Sequence, residues 1–214
     1  MSGRAGTVRA AIGSDDGAQQ GPQHEHEGAR QPVNGPVYGS GDGPGDGSTD
    51  GSVDLGLAER AHAALRAEGG TVAVAESLTG GLLAAALVDV PGASATFRGS
   101  VTAYATELKA SVLGVDEGLL AVHGPVHPVV ARQMAEGVRK LLGATYGVAT
   151  TGVAGPEPQD GQSVGTVHLA VAGPGGSLVS SPRLSGERAT IRHGAVTAAL
   201  ELLVGRLPSG PPTH

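Results

Sequence analysis

The stretch TVAVAESLTGG, residues 71–81, most constrains what this chain can fold into. Its β-branched and alanine residues predict a short buried strand, and the polar residues and two glycines after Ala75 predict a tight turn. Residues 82–87, LLAAAL, then predict a helix. Open α/β sheets bind ligands at the carboxyl ends of their strands, so this turn is a candidate site.

Ser77 in this turn has two interpretations. Serine and threonine are common helix caps, so spacing alone favours Ser77 or Thr79 as the cap of the following helix. The alternative is a reactive hydroxyl at the helix start, where free backbone N–H groups face an anion or a polarised carbonyl.

Composition excludes several classes of function. The net charge is −6 and aromatic residues make up 2% of the chain, which argues against nucleic acid as a partner. The chain has no cysteine, so disulfides, zinc–thiolate sites and thiol nucleophiles are excluded. No apolar run approaches the roughly 20 residues of a membrane span, so we expect a cytoplasmic protein without a membrane partner.

The chain divides into one folded domain and two tails. Residues 1–52 are rich in Gly, Asp, Ser, Gln and Pro with few large apolar side chains, which is typical of a disordered tail. Residues 53–207 have the length and patterning of a single domain. Residues 208–214 are predicted to be a second disordered tail.

The remaining segments alternate between strand and helix patterns. We predict helices over 54–68, 106–112, 127–142 and from about 186 onward, strands over 99–104 and 146–150, and a hairpin formed by 164–172 and 178–184. This alternation predicts an α/β fold.

A second glycine-rich turn, TGVAGP at residues 151–156, follows the strand predicted at 146–150. Two such turns after two buried strands predict a shared ligand crevice. Arg188 and Arg192 lie four residues apart at the start of the last predicted helix. They either bind an anionic partner or form a solvated face.

Common signatures are missing. Neither glycine turn has Walker or dinucleotide-fingerprint spacing, Ser77 does not lie in Gly-x-Ser-x-Gly, and the histidines lack metal-ligand spacing. We therefore expect neither a metal nor a Rossmann-type nucleotide site.

Five motifs, in order, resemble those of the CinA C-terminal domain family. They are AESLTGG at 75–81, VTAYATELK at 101–109 with LGV at 113–115, TGVAGP at 151–156, VGTV at 164–167, and GER at 186–188 with Arg192. The resemblance covers residues 55–204, nearly all of the predicted folded part.

The resemblance implies a three-layer αβα sandwich with a mixed, mostly parallel sheet and no cofactor. It implies a nicotinamide-nucleotide amidase, which hydrolyses nicotinamide mononucleotide to nicotinate mononucleotide and ammonia in pyridine-nucleotide salvage. Ser77 would be the nucleophile, Lys109 its base or proton shuttle, and Tyr104 a relay or hydrogen-bond partner of that shuttle. Backbone N–H groups around Thr79, Gly80 and Gly81 would stabilise the oxyanion.

The same resemblance implies a site for the rest of a nucleotide substrate. Backbone amides of Thr151, Gly152, Ala154 and Gly155, with Arg188 or Arg192, would hold the 5′-phosphate. For Glu76 two roles stay open: it orients Lys109, or it serves as a structural cap or ion-pair partner.

The chain departs from the family pattern at three places. Thr106 stands where the family commonly has Asn, His127 stands where it has a helix-capping Ser, and the loop over residues 157–160 is stiffer and more acidic. The acidic loop puts the substrate preference in question.

Two further expectations follow from the comparison with the family. Many relatives carry a molybdopterin-binding-like domain linked to a pyrophosphatase activity, and the glycine-rich tail replaces it here, so we expect no such second activity. The alternative to the amidase is a catalytically idle nucleotide-sensing or adaptor module linked to competence or DNA damage. Exposed alanine-rich helices leave room for a homodimer.

Overall fold

Strands and helices alternate along residues 55–208, the part of the chain that the computed structural model describes. The helices are α1 (Leu55–Ala67), α2 (Leu82–Val88), α3 (Thr106–Ser111), α4 (Glu117–His123), α5 (Pro128–Leu141) and α6 (Arg188–Arg206). The strands are β1 (Val72–Glu76), β2 (Phe97–Thr102), β3 (Tyr146–Gly152), β4 (Val167–Gly173) and β5 (Gly176–Ser180). The predicted tails lie outside the described residues, apart from Pro208.

The five strands form one mixed sheet in the order β2-β1-β3-β4-β5. Strand β1 is parallel to both β2 and β3. Strand β4 is antiparallel to β3, and β5 is antiparallel to β4. Glu76, the last residue of β1, lies opposite Thr102 of β2 and Thr150 of β3. The carboxyl ends of three parallel strands therefore meet at one edge, with β1 in the middle.

Apolar side chains fill two cores, one on each face of the sheet. On one face, Leu65, Leu87 and Leu200 represent a cluster that joins α1, α2 and α6 to the sheet. On the other face, Met134 and Val138 of α5 pack against small side chains such as Ala149 and Ala170. Because both faces are covered by helices, β1 and β3 are buried on both sides. The predicted three-layer αβα sandwich with a mixed, mostly parallel core is confirmed.

Helix α4 is the element that the sequence patterns did not predict. None of its residues is fully buried, and the two that pack against the core, Leu119 and Leu120, are adjacent in the sequence and form no helical apolar repeat. Its local signal is Asp116, which caps the helix by accepting a hydrogen bond from Leu119 N at 2.6 Å. Smaller differences lie at strand ends: β2 ends at Thr102 rather than at residue 104, and β4 begins at Val167 rather than at residue 164.

Within residues 55–208, no helix is long and apolar enough to cross a membrane.

Candidate active site

The candidate site lies where β1, β2 and β3 end. After β1 the chain passes through α2 to β2, which lies beside β1 in the sheet. It later returns to β3, which lies on the opposite side of β1. Such a switch in strand order opens a crevice at the carboxyl ends of the strands, because the two connections leave in opposite directions.

Glu76 shapes the turn that carries Ser77. Its carboxylate is fully buried and accepts hydrogen bonds from the backbone N–H groups of Gly81, Leu83 and Ala84, at 2.9–3.0 Å. Gly81 occupies the cap position of α2 and makes no side-chain cap. Of the roles left open for Glu76, the structure supports the cap, and neither Ser77 nor Thr79 caps this helix.

The turn itself requires glycine. Gly80 and Gly81 have φ values of 57° and 100°, in the left-handed region that other L residues rarely adopt. Two successive residues of this kind reverse the chain so that the first amides of α2 point back at the end of β1. The reversal leaves Ser77 half-buried at the head of the turn.

The amides available to an oxyanion differ from most of those predicted. Gly81 N is bonded to Glu76, and Gly80 N donates to Ser77 O at 3.1 Å. Within residues 55–208, the amides of Leu78 and Thr79 have no such acceptor. Hydrolases commonly use the amide of the residue after the nucleophile as an oxyanion donor, and Leu78 N is in that position.

Arg192 of α6 holds the turn from the opposite side. Its Nε donates to Leu78 O at 2.9 Å and an Nη donates to Thr79 O at 2.7 Å. The N–H of a trans peptide points away from its carbonyl, so these bonds direct Thr79 N away from the guanidinium. Arg192 thus supports the turn that carries Ser77 and does not line the cavity described below.

Lys109 of α3 is buried, with 1% of its surface exposed. Its Nζ donates to the carbonyl oxygens of Ala103 at 2.8 Å and Tyr104 at 3.4 Å. Burial lowers the pKa of this amine to about 8, against a smaller opposing effect of the Glu107 carboxylate. A substantial neutral fraction near neutral pH is what a lysine base requires.

Tyr104 and Arg188 meet at the solvent side of the site. Tyr104 is 58% exposed, and its Oη accepts a hydrogen bond from an Nη of Arg188 at 3.1 Å. The other Nη donates to Gly155 O at 2.7 Å. Tyr104 therefore contacts Lys109 through its backbone carbonyl, whereas its phenol contacts Arg188.

A cavity of about 90 Å³ joins these groups. Of the residues predicted for the site, it is lined by Ser77, Tyr104, Lys109, Thr151, Gly152, Ala154, Gly155 and Arg188. The predicted residues Glu76, Thr79, Gly80, Gly81 and Arg192 support the turn without lining the cavity. Residues that the sequence reasoning did not place in the site are Leu78, Pro125, Val126, Val153, Glu157 and Gln159.

The second glycine-rich loop forms the wall opposite Ser77. Thr151 Oγ1 donates to Pro125 O at 2.8 Å, which brings Pro125 and Val126 into the lining. The amides of Ala154 and Gly155 have no backbone acceptor within the described residues, whereas Val153 N donates to Thr166 O. Free amides beside a guanidinium form a plausible anion site.

No group of three or more His, Asp or Glu side chains in residues 55–208 could hold a metal ion. The departure at His127 is structural: its Nδ1 accepts a hydrogen bond from Val129 N at 3.3 Å and so replaces the expected serine cap of α5.

The sequence model of the CinA C-terminal domain matches residues 54–207. The chain belongs to the CinA C-terminal domain family. The resemblance drawn from the five motifs is confirmed, and the matched region includes every residue of the cavity.

Curated relatives agree with this assignment to the CinA family. A CinA-like protein of Frankia casuarinae is 61% identical over 142 residues, which are 66% of this chain and 33% of the relative. A CinA-like protein of Gloeobacter violaceus is 50% identical over 150 residues, which are 69% of this chain and 35% of the relative. The chain thus spans about a third of the length of these relatives.

Solved structures of CinA proteins share the fold. The competence damage-inducible protein A of Klebsiella pneumoniae is 34% identical, with a TM-score of 0.70 over 72% of this chain and 97% of that one. The competence/damage inducible protein of Agrobacterium tumefaciens is 36% identical, with a TM-score of 0.68 over 71% of this chain and 93% of that one.

Proposed function

We propose that this protein is an amidohydrolase that converts nicotinamide mononucleotide and water to nicotinate mononucleotide and ammonia, as a step of pyridine-nucleotide salvage. Ser77 is the nucleophile and Lys109 is its base. One observation carries the proposal: the hydroxyl of Ser77, which hydrogen-bonds to no described residue, lines the same cavity as a buried lysine whose pKa is lowered to about 8.

The surroundings of Lys109 suit a base. A neutral amine has two N–H donors and one lone pair. The carbonyls of Ala103 and Tyr104 can accept both N–H groups, which leaves the lone pair for a proton from Ser77. With a pKa of about 8, roughly a tenth of the amine is neutral at pH 7, compared with less than a thousandth at the ordinary value.

The reaction then follows the acyl-enzyme route. Ser77 Oγ attacks the carboxamide carbon, and its proton passes to Lys109 Nζ through one bridging water molecule, because the two groups are not directly hydrogen-bonded. The tetrahedral intermediate collapses, the C–N bond breaks, and the Lys109 ammonium returns a proton to the leaving nitrogen as ammonia departs. Water, deprotonated by the neutral Lys109, then attacks the acyl-enzyme. The bond between the acyl carbon and Ser77 Oγ breaks as the Lys109 ammonium returns the proton to Oγ, and the acid product loses its own proton to solvent and leaves as the carboxylate.

The carboxamide oxygen gains negative charge in both tetrahedral intermediates. The amides of Leu78 and Thr79 are free to donate to it, and Leu78 lines the cavity. The Arg192 bond to Leu78 O holds the peptide that carries Thr79 N, and the Gly80 N bond to Ser77 O holds the peptide that carries Leu78 N. Little reorganisation is therefore required in the transition state.

The outer part of the cavity suits a phosphorylated substrate. Arg188 carries a positive charge at the mouth, and the amides of Ala154 and Gly155 lie in the same wall. An enclosed volume of about 90 Å³ is below the several hundred Å³ of sites that surround a whole ligand. We infer that the carboxamide end enters the cavity and the ribose phosphate extends past the mouth.

Ammonia release from nicotinamide mononucleotide tests the proposal. We expect the purified chain to release stoichiometric ammonia, and Ser77→Ala to lower kcat by about 10³-fold or more with an unchanged Tm. Ser111→Ala, which removes an exposed hydroxyl of α3, is the matched control and should keep full activity. Wild-type protein that binds the nucleotide but releases no ammonia between pH 6 and 10 would support the idle nucleotide-sensing module instead.

A further inference from the structure

Glu157 is a charged residue of the cavity that the reaction above does not use. It lies in the acidic loop in which this chain departs from the family pattern, and it lines the cavity together with Arg188. Within residues 55–208, Arg132 and Glu136 form an ion pair, but Glu157 and Arg188 do not. Two opposite charges thus line one small cavity without neutralising each other.

Both charges are available to a ligand. The guanidinium of Arg188 donates to two uncharged acceptors, Gly155 O and Tyr104 Oη, so its positive charge is uncompensated. The exposed carboxylate of Glu157 accepts no hydrogen bond from a described residue. A ligand that carries a positive and a negative charge would complement both groups, whereas a ligand with only a negative charge would leave Glu157 unpaired.

The loop that carries Glu157 is held in place by its own backbone. Gln159 N donates to Gln162 O at 3.0 Å and Gln162 N donates to Gln159 O at 2.8 Å, so residues 159–162 close a tight turn. The same loop contacts the α4–α5 connection, since a side chain added at Gly124 would lie 3.4 Å from Asp160 Cβ. Gln159 therefore belongs to a turn that its own backbone bonds close, and Glu157 lies two residues before it in the cavity lining.

We propose that Glu157 selects ligands with a cationic ring, so that the site prefers N-glycosylated pyridinium carboxamides over neutral carboxamides of the same shape. The proposal rests on the amidase function proposed above. The pyridinium ring of such a nucleotide carries a positive charge between the reacting carboxamide and the phosphate. With the carboxamide at Ser77 and the phosphate toward Arg188, that ring passes the wall to which Glu157 belongs.

The test compares two ligands of nearly the same shape, one with a cationic ring and one with a neutral ring. Nicotinamide mononucleotide has a cationic ring, and its dihydropyridine form has the same ribose, phosphate and carboxamide with a neutral ring. Dissociation constants are measured by calorimetry in a Ser77→Ala background, so that neither ligand is consumed. We expect the cationic form to bind about two- to fivefold more tightly, the range that corresponds to an exposed charge pair.

Glu157→Gln, which removes the charge and keeps the shape, should reduce this preference to about one in the same background. Asp160→Asn is the matched control, because Asp160 belongs to the same loop and does not line the cavity; it should keep the preference. If Glu157→Gln keeps the preference, or if Asp160→Asn removes it equally, the proposal is overturned.

The two proposals fail in different ways. Binding that favours the cationic ring through Glu157, without ammonia release by the wild-type protein, would refute the amidase and support the selectivity. Ammonia release with no effect of Glu157→Gln on the binding ratio would refute the selectivity alone. If neither nucleotide form binds, both proposals are refuted.

Discussion

The inner part of the site and its mouth are built differently. In the inner site, formed by Glu76, Lys109 and Arg192, each charged side chain is bonded to backbone atoms of the surrounding loops. At the mouth, formed by Tyr104, Glu157 and Arg188, the side chains are exposed and have few partners. The inner charges thus fix the position of the backbone, whereas the mouth charges are available to ligands.

This difference separates two kinds of mutational effect. Removing an inner side chain leaves buried backbone groups without partners, so it changes folding stability as well as activity. Removing a mouth side chain exposes nothing new, so it changes ligand affinity with little effect on stability.

Lys109→Met should have the largest effect. We expect kcat/KM to fall by about 10³-fold, the contribution of a positioned base, because methionine fills the space without accepting a proton. In the wild-type protein, kcat/KM should rise with pH and level off above a midpoint near pH 8, since only the neutral amine acts as a base. A wild-type profile that is flat between pH 6 and 9 would contradict the role of Lys109.

Lys109→Met should also raise the unfolding free energy, because it removes a buried charge from the inner site. Folding lowers the pKa of Lys109 from its ordinary value to about 8. Below pH 8, burial of the ammonium therefore reduces the unfolding free energy by about 3 kcal/mol. The bonds to Ala103 and Tyr104 carbonyls are lost in the variant, so the net gain in unfolding free energy at pH 7 should be about 1 kcal/mol.

The pH dependence of this gain has a defined sign. Between pH 8 and 10.5 the unfolded chain binds more protons than the folded one, so wild-type stability rises with pH and the advantage of Lys109→Met shrinks. Urea unfolding of the wild-type protein and of Lys109→Met at pH 7 and pH 10 measures the change in this stability difference. Lys140→Met, at an exposed position of α5, should show no such change.

Glu76→Ala should have the next largest effect, on folding. The substitution leaves the N–H groups of Gly81, Leu83 and Ala84 without their acceptor, so we expect a loss of about 3 kcal/mol in unfolding free energy. Chemical denaturation measures the loss, and Glu59→Ala on the exposed face of α1 is the control, with a change below about 0.5 kcal/mol. Equal stability of the two variants would show that the buried carboxylate is not the cap of α2.

Tyr104→Phe should have the smallest effect. The phenol contacts Arg188 and not Lys109, so we expect kcat/KM to fall less than about tenfold and Tm to stay within error. Steady-state kinetics of Tyr104→Phe and Lys109→Met, measured under the same conditions, compare the two losses in kcat/KM. A loss as large as that of Lys109→Met would instead support the predicted proton relay through the phenol.

Much of the fold was predictable because its signals are local. The turn after β1 needs two left-handed residues, and Gly80 and Gly81 provide them at the point where strand periodicity stops. Helix α4 escaped prediction because its contacts with the core come from two adjacent residues, Leu119 and Leu120, and its other local signal is the Asp116 cap. Two adjacent apolar residues do not make an amphipathic pattern.

Part of the candidate site could be located from the sequence, because the motifs of Ser77 and Lys109 resemble those of the CinA C-terminal domain family. Both residues line one cavity, and their catalytic roles stay predictions. The role of Glu76 depends on amides five to eight residues later that fold back onto it, which no local capping rule anticipates. The place of Glu157 depends on how the loop over residues 157–162 closes against the cavity.

Helix α6 has a consequence for synthesis of the chain. It carries Arg188 to the mouth and Arg192 to the turn after Ser77, and it follows every other site element in the sequence. On the ribosome, the strands and the Ser77 turn can therefore emerge well before the residues that hold the turn in place. Until residue 192 has left the exit tunnel, the nascent chain lacks the Arg192 bonds to Leu78 O and Thr79 O, so the candidate site is completed last.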